Sequence, residues 1–230
     1  LSDQMAKKIH IAGEEDLFHD AISDRLARAG AILTAEGEEA ELVVSLDEGI
    51  SGDIAVLPAH VEGGDASLVI RIHDLLIPDE ANEWGPSDIH ELASIIRNGE
   101  TATNLSEFIP RHWLHVRDAT DALSLLIMAD TGGMPVGKLD MAGRRAWRPE
   151  EIIDELAILW GRFTDALNYS HTTESLSSIP SPVPDSTGES VTRPDLGPLH
   201  EALRELGSDG WHPLVPMRVA LMEVFAHAEN

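Results

Sequence analysis

The 230 residues carry 16 Lys+Arg against 41 Asp+Glu, a formal net charge of −25, and protonating all 11 histidines still leaves the chain strongly negative. Such a field repels nucleic acid and anionic membrane surfaces, so neither is expected as a non-specific partner. With 43% hydrophobic residues and no cysteine, the chain reads as a globular fold rather than an acidic tail, and disulfides, thiolate metal sites and cysteine nucleophiles are excluded.

The length suits one domain over 1–230. No apolar run approaches the ~18 residues of a membrane span, and the N-terminus lacks a signal-peptide core, so a cytoplasmic location is the default. Only three of the basic residues are lysines (Lys7, Lys8, Lys138). A lysine-poor acidic surface fits either adaptation to high salt or simple solubility.

The chain opens with a short strand, Lys8 to Ala12, running into Gly13. Leu17, Phe18, Ile22 and Leu26 then fall at helical spacing and predict a helix over 16–29, ended by Gly30. Ala31–Thr34 and Leu42–Leu46 read as the next strands, the latter ending at Asp47. The 47–67 interval is Gly-rich and only partly strand-like, at Ile54–Leu57. Leu68–Ile72 is a buried-type strand. A helix is predicted over 87–98, a strand at Trp113–Val116, and a helix from Asp118 to about 129, with Asp118 as N-cap or first-turn acid. Gly137–Met141 is a further strand. Pro149-Glu150-Glu151 opens the longest helix, over 149–168, with proline at N1 and acids in the first turn. Residues 170–194 are rich in Ser, Thr and Pro and read as a long loop. Helices over 195–206 and 216–228 close the chain. This alternation predicts an α/β, Rossmann-like, mostly parallel sheet with helices on both faces, plus a small α-rich lobe over 143–230.

Four stretches together resemble the extended short-chain dehydrogenase/reductase group, the NAD-dependent sugar-nucleotide epimerases and dehydratases. The first is Lys8 to Gly13 with a helix ending at Ala29-Gly30-Ala31. The second is Leu68 to Ile72, followed by Trp84-Gly85-Pro86 and a helix ending Asn98-Gly99-Glu100. The third, Arg111 to Asp118, is similar to the family's R-D-x-x-H-V-x-D. The fourth is Arg193-Pro194-Asp195 with Trp211-His212-Pro213, similar to the closing R-P-x-D and L-G-W-x-P. The resemblance implies a Rossmann-like fold, NAD or NADP as cofactor, and a nucleotide sugar as substrate.

The departures point the other way. The family's phosphate-binding turn has three glycines, and only the first, Gly13, has a counterpart here. The turn continues Glu14-Glu15-Asp16. Pyrophosphate sits on a helix N-terminus because free N–H groups and the helix dipole attract it. Like charges ~5 Å apart cost on the order of 1 kcal/mol even in water-like dielectric, so three carboxylates argue against a dinucleotide. The family's Tyr-x-x-x-Lys pair is also missing: the single tyrosine, Tyr169, has Thr173 four residues on. The catalytic helix would fall in 47–67, where a short connection stands, and the helices missing there commonly build the family dimer. An oligomer through those helices is therefore not expected.

Three functional readings follow. The first is a degenerate family member without a cofactor, acting as a binding, regulatory or assembly protein with a nucleotide sugar, another anionic small molecule or a protein as partner. The second is an NAD(P)-dependent nucleotide-sugar epimerase, dehydratase or reductase with relocated catalytic groups. The third is a cofactor-free enzyme in the same cleft, using Asp47, Tyr169 or His171 as acid or base. Asp47 ends a strand where this fold places ligands, although such acids also cap turns. For substrate binding the candidates are Arg193, which the resemblance places on a diphosphate, and the cluster Arg144, Arg145 and Arg148, whose planar forks suit oxyanions but can equally balance neighbouring acids. His112, His115 and Asp118 have no strong metal-ligand spacing, so packing and capping are expected of them and no metal site is assigned. No G-x-S-x-G elbow and no P-loop are present.

Overall fold

The computed structural model describes residues 6–100, 105, 108–130, 132–173 and 192–228. In chain order the elements are β1 (Lys8–Ala12), α1 (Leu17–Arg28), β2 (Ile32–Leu33), a 3-10 turn (Gly37–Glu39), β3 (Leu42–Ser45), β4 (Ile54–Pro58), β5 (Leu68–Ile72), β6 (Leu75–Leu76), α2 (Asp88–Arg97), β7 (Leu114–His115), α3 (Val116–Met128), β8 (Gly137–Met141), α4 (Pro149–Leu167), α5 (Gly197–Glu205) and α6 (Met217–Ala228). Six strands form one sheet in the order β2-β1-β3-β4-β5-β8, and every pairing in it is parallel. The fold is α/β and Rossmann-like, as the alternation of strands and helices predicts. Strands β6 and β7 pair separately. The expected loop over 170–194 falls largely on 174–191, outside the described residues. Among the described residues no helix is long and apolar enough to cross a membrane.

Period-two alternation turns Ile9, Ile11, Leu42, Val44, Ile54, Val56, Leu68 and Ile70 to one face of the sheet. There they meet Phe18, Ile22 and Leu26 of α1, Leu123 and Ile127 of α3, and Leu199 and Leu203 of α5. A second apolar cluster joins α2, α4 and α6 through Ile89, Leu92, Leu156, Leu221 and Phe225. A buried Glu155 on α4 reinforces it by accepting from Nε and Nη2 of Arg218 on α6, at 2.5 and 2.7 Å.

The structure differs from the sequence reading in the 47–67 interval. Ile54–Leu57 is not a fragment of a loop but the core of β4, a full strand between β3 and β5. The connections on either side, 46–53 and 59–67, contain no helix. Parallel neighbours normally need a crossover of about a dozen residues or more, usually helical, and these links are too short for one. Around β4 the chain therefore crosses between neighbouring strands without a helix. Among the described residues, Ala55, Leu57 and Val69 on the second face are buried under Val61 and Ala66 of the 59–67 connection. Gly64, at φ +91°, makes this possible. A Cβ there would stand 3.1 to 3.4 Å from Leu57, Ala55 and Val69, so only glycine lets the link lie flat on the sheet.

Candidate functional site

The larger cleft opens where β1, β3 and β4 end. It encloses about 590 Å³, within the range of about 300–1,000 Å³ typical of small-molecule sites. Its lining is acidic: Glu14, Glu15, Asp16, Asp47, Glu48, Glu80 and Glu83 contribute carboxylates, and no basic residue among the described ones lines it. Leu17, Leu46, Leu57 and Trp84 supply the apolar wall. The position is the one where a parallel sheet offers a ligand site, beside the strand from which the chain runs outward in both directions, β1.

The turn after β1 is built to close on itself. Gly13 packs so tightly against β3's exit that a Cβ would stand 2.9 Å from that of Leu46. Asp16 is the N-cap of α1: its Oδ1 accepts the His19 N–H at 2.7 Å. Its Oδ2 accepts the indole N–H of Trp84, also at 2.7 Å. Trp84 is buried, and its ring lies 4.1 Å from that of Phe18, centroid to centroid. The first turn of α1 thus offers its free N–H to a carboxylate of the chain, and a tryptophan sits on that carboxylate. Carboxylates at a helix start repel an anion such as a pyrophosphate, and here Asp16 takes the His19 N–H with Glu14 and Glu15 beside it in the chain.

The candidate residues separate into three places. Asp47 lines the acidic cleft, where its Oδ1 accepts the Gly49 N–H at 2.8 Å, a turn-capping bond, while Gly13 is not among the lining residues and only precedes Glu14 in the chain. Arg144 and Arg145 line a second, smaller cavity, and Arg193 is exposed and reaches the Arg144 carbonyl at 3.4 Å. Tyr169 is 96% exposed, at φ +54° just beyond α4, and His171 is exposed nearby; neither lines the acidic cleft or the smaller cavity. Lys8 lies on β1 and Lys138 on β8. Lys7 donates to the Ile127 and Ala129 carbonyls at 2.7 and 2.6 Å, and burial lowers its pKa despite nearby Asp130, Glu41 and Asp53.

Of the two roles read from the sequence, N-cap or first-turn acid, Asp118 holds the second, in the first turn of α3. His115 is the N-cap of α3, its Nδ1 accepting the Arg117 N–H at 3.1 Å. Asp118 accepts the N–H groups of Leu214 (2.8 Å) and Val215 (3.1 Å), tying the C-terminal segment to α3. Among the described residues no group of three or more His, Cys, Asp or Glu could hold a metal ion. One cluster passes unnoticed in the sequence. His73 bonds Asp140 at 2.7 Å where β5 and β8 pair. Next to it Asp74, at φ +46°, accepts the His112 N–H at 2.8 Å. Arg111 lies between Asp88 and Asp74, at 2.7 and 3.4 Å. Burial lowers the His112 pKa, against the pull of Asp74, and Arg193 and His73 add to the lowering.

No protein-family model matches the chain, and no curated protein sequence matches it. Solved structures do. RMD from Pseudomonas aeruginosa, complexed with NADPH, superposes with a TM-score of 0.60 at 14% identity, covering 97% of this chain and 99% of its own. The UDP-glucose 4-epimerase of Thermus thermophilus, in complex with NAD, gives 0.57 at 12% identity over 97% and 99%. The UDP-glucose-4-epimerase of Stenotrophomonas maltophila, with NAD and formylated UDP-arabinopyranose, gives 0.60 at 10% identity over 97% and 98%. The chain has the Rossmann-like fold of these structures, at 10–14% identity to them.

Proposed function

We propose that this chain is a divergent member of the extended short-chain dehydrogenase/reductase group which no longer works through a bound dinucleotide and acts as a cytoplasmic binding, regulatory or assembly protein. The observation that carries the reading is the commitment of the α1 N-terminus: Asp16 caps the helix and holds Trp84, beside two further carboxylates. The absence of a lysine four residues after Tyr169, where Thr173 stands, supports it, as does the lack of helices in 46–53 and 59–67. An oligomer, if formed, does not use helices from that interval. Its partner is a nucleotide sugar, another small anion, or a protein, and neither nucleic acid nor membrane.

A second reading is favoured by the fold neighbours, which are complexed with NADPH or NAD. It makes the chain an NAD(P)-dependent epimerase, dehydratase or reductase with relocated groups. Thermal unfolding of the full chain with NAD, NADP and a panel of UDP-, dTDP- and GDP-sugars separates the two. A ligand at 100 times its Kd adds about 2.7 kcal/mol, a readily visible shift. The expected result is no response to either dinucleotide. A clear response to NAD or NADP, or turnover of a nucleotide sugar that depends on one of them, overturns the proposal.

A further inference from the structure

The second cavity, of about 150 Å³, lies between the β6–β7 pair, the segment leaving β8, and the start of α6. It shares no lining residue with the acidic cleft. Its walls include Trp113, Trp147, Leu76 and Met217, and its polar groups are those of Arg144, Arg145, His115 and Asp118.

The two groups that could repel or neutralise an anion are already engaged. Asp118 accepts the Leu214 and Val215 N–H groups. His115 accepts at Nδ1, which leaves its proton on Nε2 for Glu223 at 3.0 Å. Burial lowers its pKa, outweighing the nearby Glu223.

The arginines are in the opposite condition. Arg145 lies flat over Trp147, its guanidinium carbon 3.5 Å from the ring centroid. Its Nη1 donates to Glu151 at 3.2 Å. Its Nη2 is buried and has no partner among the described residues. A buried charged donor without an acceptor is costly, and natural structures rarely leave one unexplained. This one persists in a chain with 41 acids, none of which, among the described residues, is placed on it. Arg144, beside it, is exposed and lines the same cavity. Stacking on Trp147 and the single bond to Glu151 fix the orientation of the Arg145 fork before any ligand arrives, which lowers the entropy cost of binding.

We propose that this cavity is a binding site for a small oxyanion, a carboxylate or phosphate head carrying a short apolar group. The guanidinium groups of Arg145 and Arg144, which both line it, hold the head, a small turn of the Arg145 fork bringing its unpaired Nη2 onto the anion, and Trp113 and Trp147 cover the apolar part. The volume sets the size: it is below the ~300 Å³ at which drug-sized pockets begin, so a whole nucleotide sugar does not enter. The inference goes beyond the reading of the acidic cleft and survives its failure, since it requires neither a cofactor nor a nucleotide.

The test is calorimetric titration of the full chain with sodium phosphate and sodium benzoate at constant ionic strength, with tryptophan fluorescence as a second readout. The expected result is saturable binding of at least one anion with Kd at or below about 1 mM and a change in fluorescence. Arg145→Gln weakens it at least tenfold, and Arg144→Gln, at an exposed position that does not threaten the fold, weakens it three- to tenfold. Lys8→Gln, on β1, leaves it unchanged. Absence of saturation with both anions overturns the proposal. So does binding that both arginine variants retain, or binding that only Arg193→Gln removes.

Discussion

The two cavities differ in sign, size and the way their charged groups are held. In the larger, the carboxylates of one turn satisfy a helix end, and Trp84 seals that bond. In the smaller, the carboxylate and imidazole are consumed by neighbours, and an arginine arm is left over. A net charge of −25 spread over the surface predicts neither arrangement. What decides each is which partners the fold supplies at a few ångströms, where Coulomb terms are large, and not the sum over the chain.

The comparison can be broken most forcefully at Trp84. Replacing a buried tryptophan by alanine costs about 3–5 kcal/mol, so Trp84→Ala should lower the urea midpoint sharply. Trp84→Phe keeps most of the packing against Phe18 and loses chiefly the bond to Asp16, about 1.5–3 kcal/mol for a hydrogen bond to a charged group. Equal effects of the two would mean that the bond, not the burial, holds Trp84 against the start of α1. On the other cavity, Asp118→Ala leaves the Leu214 and Val215 N–H groups unpaired and should cost about 2–3 kcal/mol in the same measurement. A neutral result would show that the C-terminal segment is anchored elsewhere.

A gain of function sharpens the contrast. The triple change Glu14→Ser, Glu15→Ser, Asp16→Ser removes three like charges and keeps a side chain that can cap α1. At roughly 1 kcal/mol per charge, NADH affinity measured by fluorescence titration should rise by about a hundredfold over the parent. No rise would place the obstacle in Trp84 and the turn itself, not in the charge.

The smallest effect concerns pH. Burial holds His112, and likewise His90 despite nearby Ile77 and Pro78 carbonyls, below the ordinary histidine range. The unfolded chain then binds protons as pH falls through about 6.5 while the folded chain does not, so these residues remove stability below that pH until their folded values are passed. His112→Gln should therefore lose less stability than the parent between pH 7.5 and 5.5. A steeper loss in the variant would reverse the sign.

The strands and helices with strong local signals are legible in the sequence: β1, β5, β8, and α4 with Pro149 at N1 and Glu151 accepting the Arg148 N–H at 2.8 Å. The acids at the α1 start are legible as helix-start residues. Their seal is not, because Trp84 lies 68 residues from Asp16 and no local pattern links them. Asp118 is legible as a first-turn acid of α3, but the cap itself, His115, is not, because His is an uncommon N-cap, although an imidazole nitrogen accepts an N–H as an oxygen does. The rank of β4 is hidden by its flanks, since a Gly-rich interval without helical period reads as a loop until its strand neighbours are known. The arginine cluster is visible in the sequence, and the geometry adds the aromatic plate and the unpaired arm.

The helix-free links around β4 also bear on how the chain folds. They pair Val44 with Ile54, ten residues on, and Ile54 with Leu68, fourteen on, whereas Leu68 meets Gly137 across 69 residues. Closing the last of these loops costs about 1.4 kcal/mol more entropy than closing the fourteen-residue one. Three parallel strands, ordinarily among the slowest elements to assemble, here have the sequence separation of a hairpin-rich protein. The β3–β4–β5 trio is thereby suited to nucleate the sheet, with β1 and β8 adding to a template already in register.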